Sequence, residues 1–207
     1  MIRSRVHKIT VSLILMIICA AVRVPAQNTA AEEKKNNDGA ANPVIYYTYA
    51  GPLLSIGSVM TEREVWSESS GISTVENSLL SYSGGFLLAI FTDTITGEFT
   101  LQYIHHTGDE SGYSMLYTAS GKYMFTAAEK FYIYPAAGIY FTTPPSGGPF
   151  GSGGGLHSAI GALYDTTVST KLFGEWGLRY GYDGTGAEGT SLGFSFTLGF
   201  IFRAGNI

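Results

Sequence analysis

Cysteine, charge and long apolar runs are all scarce in this sequence of 207 residues. Cys19 is the single cysteine, so no disulfide can form within the chain and a cysteine-built metal site is excluded. Charged residues make up 14%, against about a quarter in an ordinary water-soluble domain. Much of the surface is therefore expected to meet something other than water. Beyond residue 26 no apolar run approaches the roughly 20 residues that a helix needs to cross hydrocarbon, which excludes a helical membrane domain there.

The first 26 residues read as a secretory signal. Arg3, Arg5 and Lys8 precede an uncharged run from Ile9 to Val22, and Val24-Pro25-Ala26 forms a small-residue cleavage site. Ile18 stands where a lipid-anchoring signal ending at Cys19 wants a small residue, which argues against a lipoprotein. Removal of residues 1–26 takes away Arg3, Arg5, Lys8 and Arg23 but no acid, so the net charge falls from −4 to about −8. Nucleic-acid phosphates want a basic face, and this balance argues against them as partners. Residues 27–43, polar and without periodicity, read as a flexible periplasmic linker.

From residue 44 to 207 the apolar pattern has period two, which is the pattern of strands. Its clearest stretch sets Leu192, Phe194, Phe196, Leu198, Phe200 and Phe202 against Ser191, Gly193, Ser195, Thr197, Gly199 and Arg203, with Ile201 the exception on the polar side. Alternation about the pleat puts the two sets on opposite faces of a sheet. Similar alternation marks strands near 80–90, 99–106, 113–125 and 168–180, the last including Val168. Less regular segments lie at 51–62, 132–142 and 156–164. Pro135 lacks a ladder donor, so the fifth strand is expected to begin near Ala136 or to carry a bulge. The eight strands are joined by short connections (92–97, 127–130, 165–167) alternating with longer ones (63–77, 107–112, 143–155, 181–189). An all-β, transmembrane, antiparallel up-and-down barrel of eight strands has this arrangement, with turns in the periplasm and loops outside.

Parity also sorts the charges. Glu98, Lys122, Lys171, Glu175, Arg179 and Arg203 all fall on the polar face of their strands, as does Gln102. That face is otherwise mainly Ser, Thr and Gly, which suits a narrow interior with internal ion pairs better than a solvated exterior. These seven residues are the expected interior polar network. Tyr117, Leu172, Trp176, Leu192, Phe194, Phe196, Leu198 and Phe200 are expected to face lipid, where a Lys or Arg would cost roughly 2 to 4 kcal/mol at mid-membrane. Tyrosines at strand ends, including Tyr46, Tyr47, Tyr49, Tyr113, Tyr123, Tyr180 and Tyr182, are expected to form interfacial girdles.

The signal, the alternating strands and the closing run from Ser191 to Phe202 resemble the small eight-stranded outer-membrane barrel proteins, the class of the OmpA membrane domain, OmpX and OmpW. The resemblance implies the bacterial outer membrane, its lipid, and insertion by the barrel-assembly machinery. That machinery commonly reads a terminal aromatic residue, whereas here residues 203–207 follow Phe202. The resemblance further implies a structural or surface-interaction role, or a narrow conduit for small, even hydrophobic, solutes, with ligands met at the external loops.

Chemistry is sparse. His105 and His106, with Asp109 and Ser111, carry an alternative reading as a lipid-modifying barrel enzyme, although adjacent strand residues point to opposite faces. The glycine-rich 145–155 segment lacks the Lys-Ser/Thr ending of a phosphate loop and reads as an external loop. No catalytic residue, metal site or cofactor is assigned. A second alternative is a secreted, lipocalin-like ligand-binding barrel, which would turn the apolar faces inward.

Overall fold

A computed structural model describes residues 46–67, 71–92, 94–107, 112–143, 152–184 and 189–206. The signal and linker expected over 1–43, together with Asp109 and Ser111, lie outside them. Among the described residues there are nine strand segments and no helix: β1 (Tyr47–Ser67), β2 (Gly71–Phe91), β3 (Ile95–Thr107), β4 (Gly112–Tyr123), β5 (Phe125–Ala128), β6 (Phe131–Thr143), β7 (Ser152–Asp165), β8 (Thr170–Gly184) and β9 (Gly189–Asn206).

Apart from β4 and β5, each strand pairs antiparallel with its sequence neighbour, and β9 returns to pair with β1, so the sheet closes on itself. β4 and β5 occupy one position, since both pair with β6 in one register, Lys122 opposite Ala136 and Phe125 opposite Ile133. The barrel therefore has eight staves. The ladder is interrupted opposite Pro135, which has no N–H to give. There the Met124 amide turns away and donates to the Thr94 carbonyl at 2.8 Å. The expected start at Ala136 is thus corrected: β6 begins at Phe131 and runs through Pro135, and the irregularity falls on the neighbouring stave.

Side-chain hydroxyls close two of the turns. Thr92 Oγ1 accepts from the Ile95 amide at 2.9 Å, and the Thr92 amide donates to the Ile95 carbonyl at 2.8 Å. In the turn from 166 to 169 the amides of Thr166 and Thr167 both donate to the Thr170 carbonyl at 3.1 Å. Val168 therefore belongs to this exposed turn and not to the strand face expected for it. The turn at Glu129 and Lys130 is closed with Lys130 at φ 67°, and the Asp165 amide donates to the Lys130 carbonyl. Both chain ends of the barrel lie at this turn end.

The opposite end departs further from expectation. Within the span expected as a loop, residues 63–67 and 71–77 are paired strand: β1 and β2 pair continuously from Tyr47–Phe91 to Ser67–Gly71. β3 joins β2 only from Leu80 onward, and β9 leaves β1 at Arg63. Among the described residues, 71–79 therefore pair only with β1, in a two-stranded ribbon that extends ~30 Å along the strand past Thr107 at about 3.4 Å per residue. Gly153 to Gly155, expected in a loop, are likewise in β7 and are paired on both sides, Gly155 facing Tyr140 and Gly181. Backbone ladders need no apolar alternation to continue.

Candidate functional site

Alternation gives the barrel two faces. On the outside Trp176, Phe194, Phe196, Leu198 and Phe200 are exposed, and Tyr117, Leu172 and Leu192 point the same way, half-buried among neighbours. Outward rings gather near each end. His105 lies between Tyr82 and Tyr113, with centroids at 4.8 and 4.6 Å, while Tyr123 meets Phe125 at 4.7 Å near the turns. Tyr46 is exposed, but Tyr47 and Tyr49 are corrected: they point inward, Tyr49 into the core with its ring 4.9 Å from Phe91. Their places at the strand end suggested a girdle; their odd parity, shared with Leu53, turns them into the barrel.

The interior is more apolar than the expected hydroxyl-filled lumen. Toward the turns Leu53, Leu87, Ala89, Met124, Tyr134, Leu163, Phe173 and Ile201 form a buried cluster. Two of its rings stand on glycines. Tyr134 pairs across strands with Gly161, and Phe173 with Gly199. A Cβ on Gly199 would lie 2.5 Å from Cε1 of Phe173, so the missing side chain is the space the ring fills.

Above these rings sits the ion network. Lys122, on β4, reaches Glu98 of β3 at 2.5 Å and Glu175 of β8 at 2.8 Å. Its side chain is 5% exposed, and its Nζ lies 4.5 Å from the Tyr134 ring centre and 5.4 Å from that of Phe173. One ammonium is thus held by two carboxylates and two ring faces, spanning the lumen from one wall to the other. His157 Nε2 lies 3.9 Å from the second carboxylate. Beside this, Ser83 donates to Gln102 Oε1 at 2.8 Å and Thr197 to Ser55 Oγ at 3.1 Å.

The expected network is not one cluster. Glu98, Lys122 and Glu175 come together, and Gln102 is nearby with Ser83. Lys171 and Arg203 lie at the turn end instead. Lys171 pairs with Asp165 at 2.5 Å, its Nζ 5.2 Å from the Tyr49 ring, and the Arg203 guanidinium covers the Tyr47 ring at 4.2 Å. Arg179 sits on the loop side of the network. Tyr134, Phe173, Tyr49 and Asp165 were not among the expected site residues. An inward aromatic opposite a glycine would have marked two of them, but that signal needs the register first.

The network separates two spaces. At the turn end a cavity of about 420 Å³ is lined by Tyr47, Tyr132, Lys171 and Arg203 among others. At the loop end a partly open cavity of about 70 Å³ is lined by His106, Ser114, Tyr140 and Arg179. Between them only about 20 Å³ remains around Glu98, His157 and Glu175. His106 Nε2 lies 2.8 Å from Ser114 Oγ, and both residues are buried inside the barrel while His105 faces out. Among the described residues no group of three or more metal-binding side chains occurs.

No family model matches the chain, and no curated protein matches it in sequence. Among solved structures it is similar to Neisserial surface protein A, at 14% identity and a TM-score of 0.53, over 74% of this chain and 98% of that one. It also aligns with the attachment invasion locus protein Ail of Yersinia pestis at 13% identity and a TM-score of 0.43, over 75% and 97% of the two chains. The first of these, with the closed ring of staves, shows the fold: this chain has the architecture of the small eight-stranded outer-membrane β-barrels.

Proposed function

We propose that the chain is an integral protein of a bacterial outer membrane and that it works as a closed scaffold without enzymatic activity, presenting the ribbon and loop end as its interaction surface. The observation that carries this reading is the Lys122 clamp. Glu98, Glu175, Tyr134 and Phe173 converge on one buried ammonium and fill the cross-section of an interior that eight strands make narrow to begin with. A scaffold is favoured over a conduit for that reason. The apolar outer face meets lipid, with the short turns in the periplasm and the ribbon outside. A secreted carrier would have these faces reversed. Of the residues behind the lipid-modifying alternative, His105 packs outside between Tyr82 and Tyr113 while His106 is buried inside the barrel against Ser114, so the two histidines do not share one site.

Planar-bilayer recording of the folded protein tests the choice. A scaffold gives no discrete conductance steps. Regular steps in the unmodified protein would instead support the narrow conduit.

A further inference from the structure

Arg179 is the buried cation that the network leaves over. It is 8% exposed. Its cross-strand partners are His157 on β7 and Gly193 on β9, neither of them an anion. Glu175, four residues back on the same face, engages Lys122 at 2.8 Å and stands 3.9 Å from His157. Among the described residues no carboxylate pairs with the Arg179 guanidinium and no acceptor hydrogen-bonds it. Taking a guanidinium out of water without a counter-ion is strongly unfavourable, and a planar fork of N–H donors is the shape that a carboxylate fits with two parallel bonds.

The place where it points has the form of a binding site. Arg179 lines the loop-end cavity, and its Nε passes over Gly193, where an added Cβ would come within 3.5 Å. Ser114 and the Tyr140–Ser191 hydroxyl pair, 3.1 Å apart, stand around the same space. Val59, Leu79 and Ile104 form the apolar part of the remaining wall, with Thr61, His106 and Thr142 beside them. A cavity of about 70 Å³ is several times the ~10–15 Å³ that one water needs on this measure, and it opens away from the plug.

We propose that the loop-end cavity binds a small organic monocarboxylate, its carboxylate on Arg179 and its apolar body against Val59, Leu79 and Ile104. The apolar wall distinguishes this ligand from an inorganic anion, and the buried charge distinguishes it from a neutral hydrophobe. The site goes beyond the scaffold role and stands on the interior geometry alone, so a result on conductance leaves it untouched.

Benzoate is a suitable probe, with benzyl alcohol and inorganic phosphate as the neutral and the purely anionic controls. Folded protein in lipid nanodiscs is titrated with each, and binding is read by NMR chemical-shift changes and by the rise in the thermal unfolding midpoint. Saturable benzoate binding with one site per barrel is expected, weakened at least tenfold in Arg179→Gln and partly kept in Arg179→Lys, with both controls weaker than benzoate. Val59→Trp, which fills the cavity and leaves the cation in place, should also abolish binding, and it serves where Arg179→Gln fails to fold. The proposal is overturned if benzoate does not saturate on the unmodified protein, or if it binds Val59→Trp or Arg179→Gln as tightly as the original. The first of these outcomes would leave Arg179 balancing at a distance the surplus negative charge of Glu98 and Glu175 over Lys122.

Discussion

The Tyr134 ring occupies the space over Gly161 on the neighbouring strand: a Cβ added there would be 2.4 Å from Cζ and 2.5 Å from the hydroxyl oxygen. Gly161→Val should therefore displace the ring from the plug. We expect a loss of about 1–3 kcal/mol, the usual range for overpacking a filled interior. Urea unfolding from lipid vesicles measures it. In a Tyr134→Ala background the cost of the same change should shrink, since the two residues share one space.

Lys122 holds two carboxylates inside the barrel, and its removal leaves them facing each other without a cation. Lys122→Met is expected to destabilise by about 3–5 kcal/mol. Adding Glu98→Gln and Glu175→Gln to that variant should recover most of the loss. If the triple variant were no more stable than the single one, the cost would lie in lost packing of the lysine stem and not in uncompensated charge.

The outer face of β9 and the exposed turn before β8 make different demands on a cation. Phe196→Arg, on the outer face, should cost about 2–4 kcal/mol and slow folding into vesicles, whereas Val168→Arg in the exposed turn should cost about 0–1 kcal/mol. Heat-modifiable gel mobility reports the folded fraction of each.

The ribbon is paired on one side only. Amides of β2 between residues 72 and 79 are expected to exchange with solvent well before those around Leu87, which are laddered on both sides and buried. Hydrogen exchange by mass spectrometry on the folded protein distinguishes this from the uniform protection of a barrel whose rim stops at residue 80.

Strand parity was legible in the sequence wherever one face was uniformly apolar, as from Leu192 to Phe202, because pleat geometry alone then separates the faces. Position at a strand end misled at Tyr47 and Tyr49, whose parity, like that of Ile201, puts an apolar side chain inside the end of the barrel. The ribbon was invisible for a related reason. Glu62, Glu76 and Ser78 on one face and Thr61 and Ser73 on the other put polar groups on both, so no alternation marks a ladder that the backbone nevertheless makes. Glu98, Lys122 and Glu175 were each readable as inward, but they lie on three strands, and only closure of β9 onto β1 brings β8 across from β3 and β4. The same closure leaves Lys171 and Arg203 at the turn end. Glycines opposite rings, at 161 and 199, carry meaning only once the register is known.

The outward set of aromatic and aliphatic side chains meeting acyl chains is the claim on which the rest depends, and Trp176, 65% exposed on the outer face, reports on it directly. With Trp66→Phe leaving Trp176 as the single tryptophan, the protein is folded into vesicles whose acyl chains carry bromine. Strong quenching of the Trp176 fluorescence, with little effect of aqueous iodide, is the result expected. Emission unchanged by brominated chains and quenched by iodide would show a surface in water, and the membrane barrel would have to be abandoned.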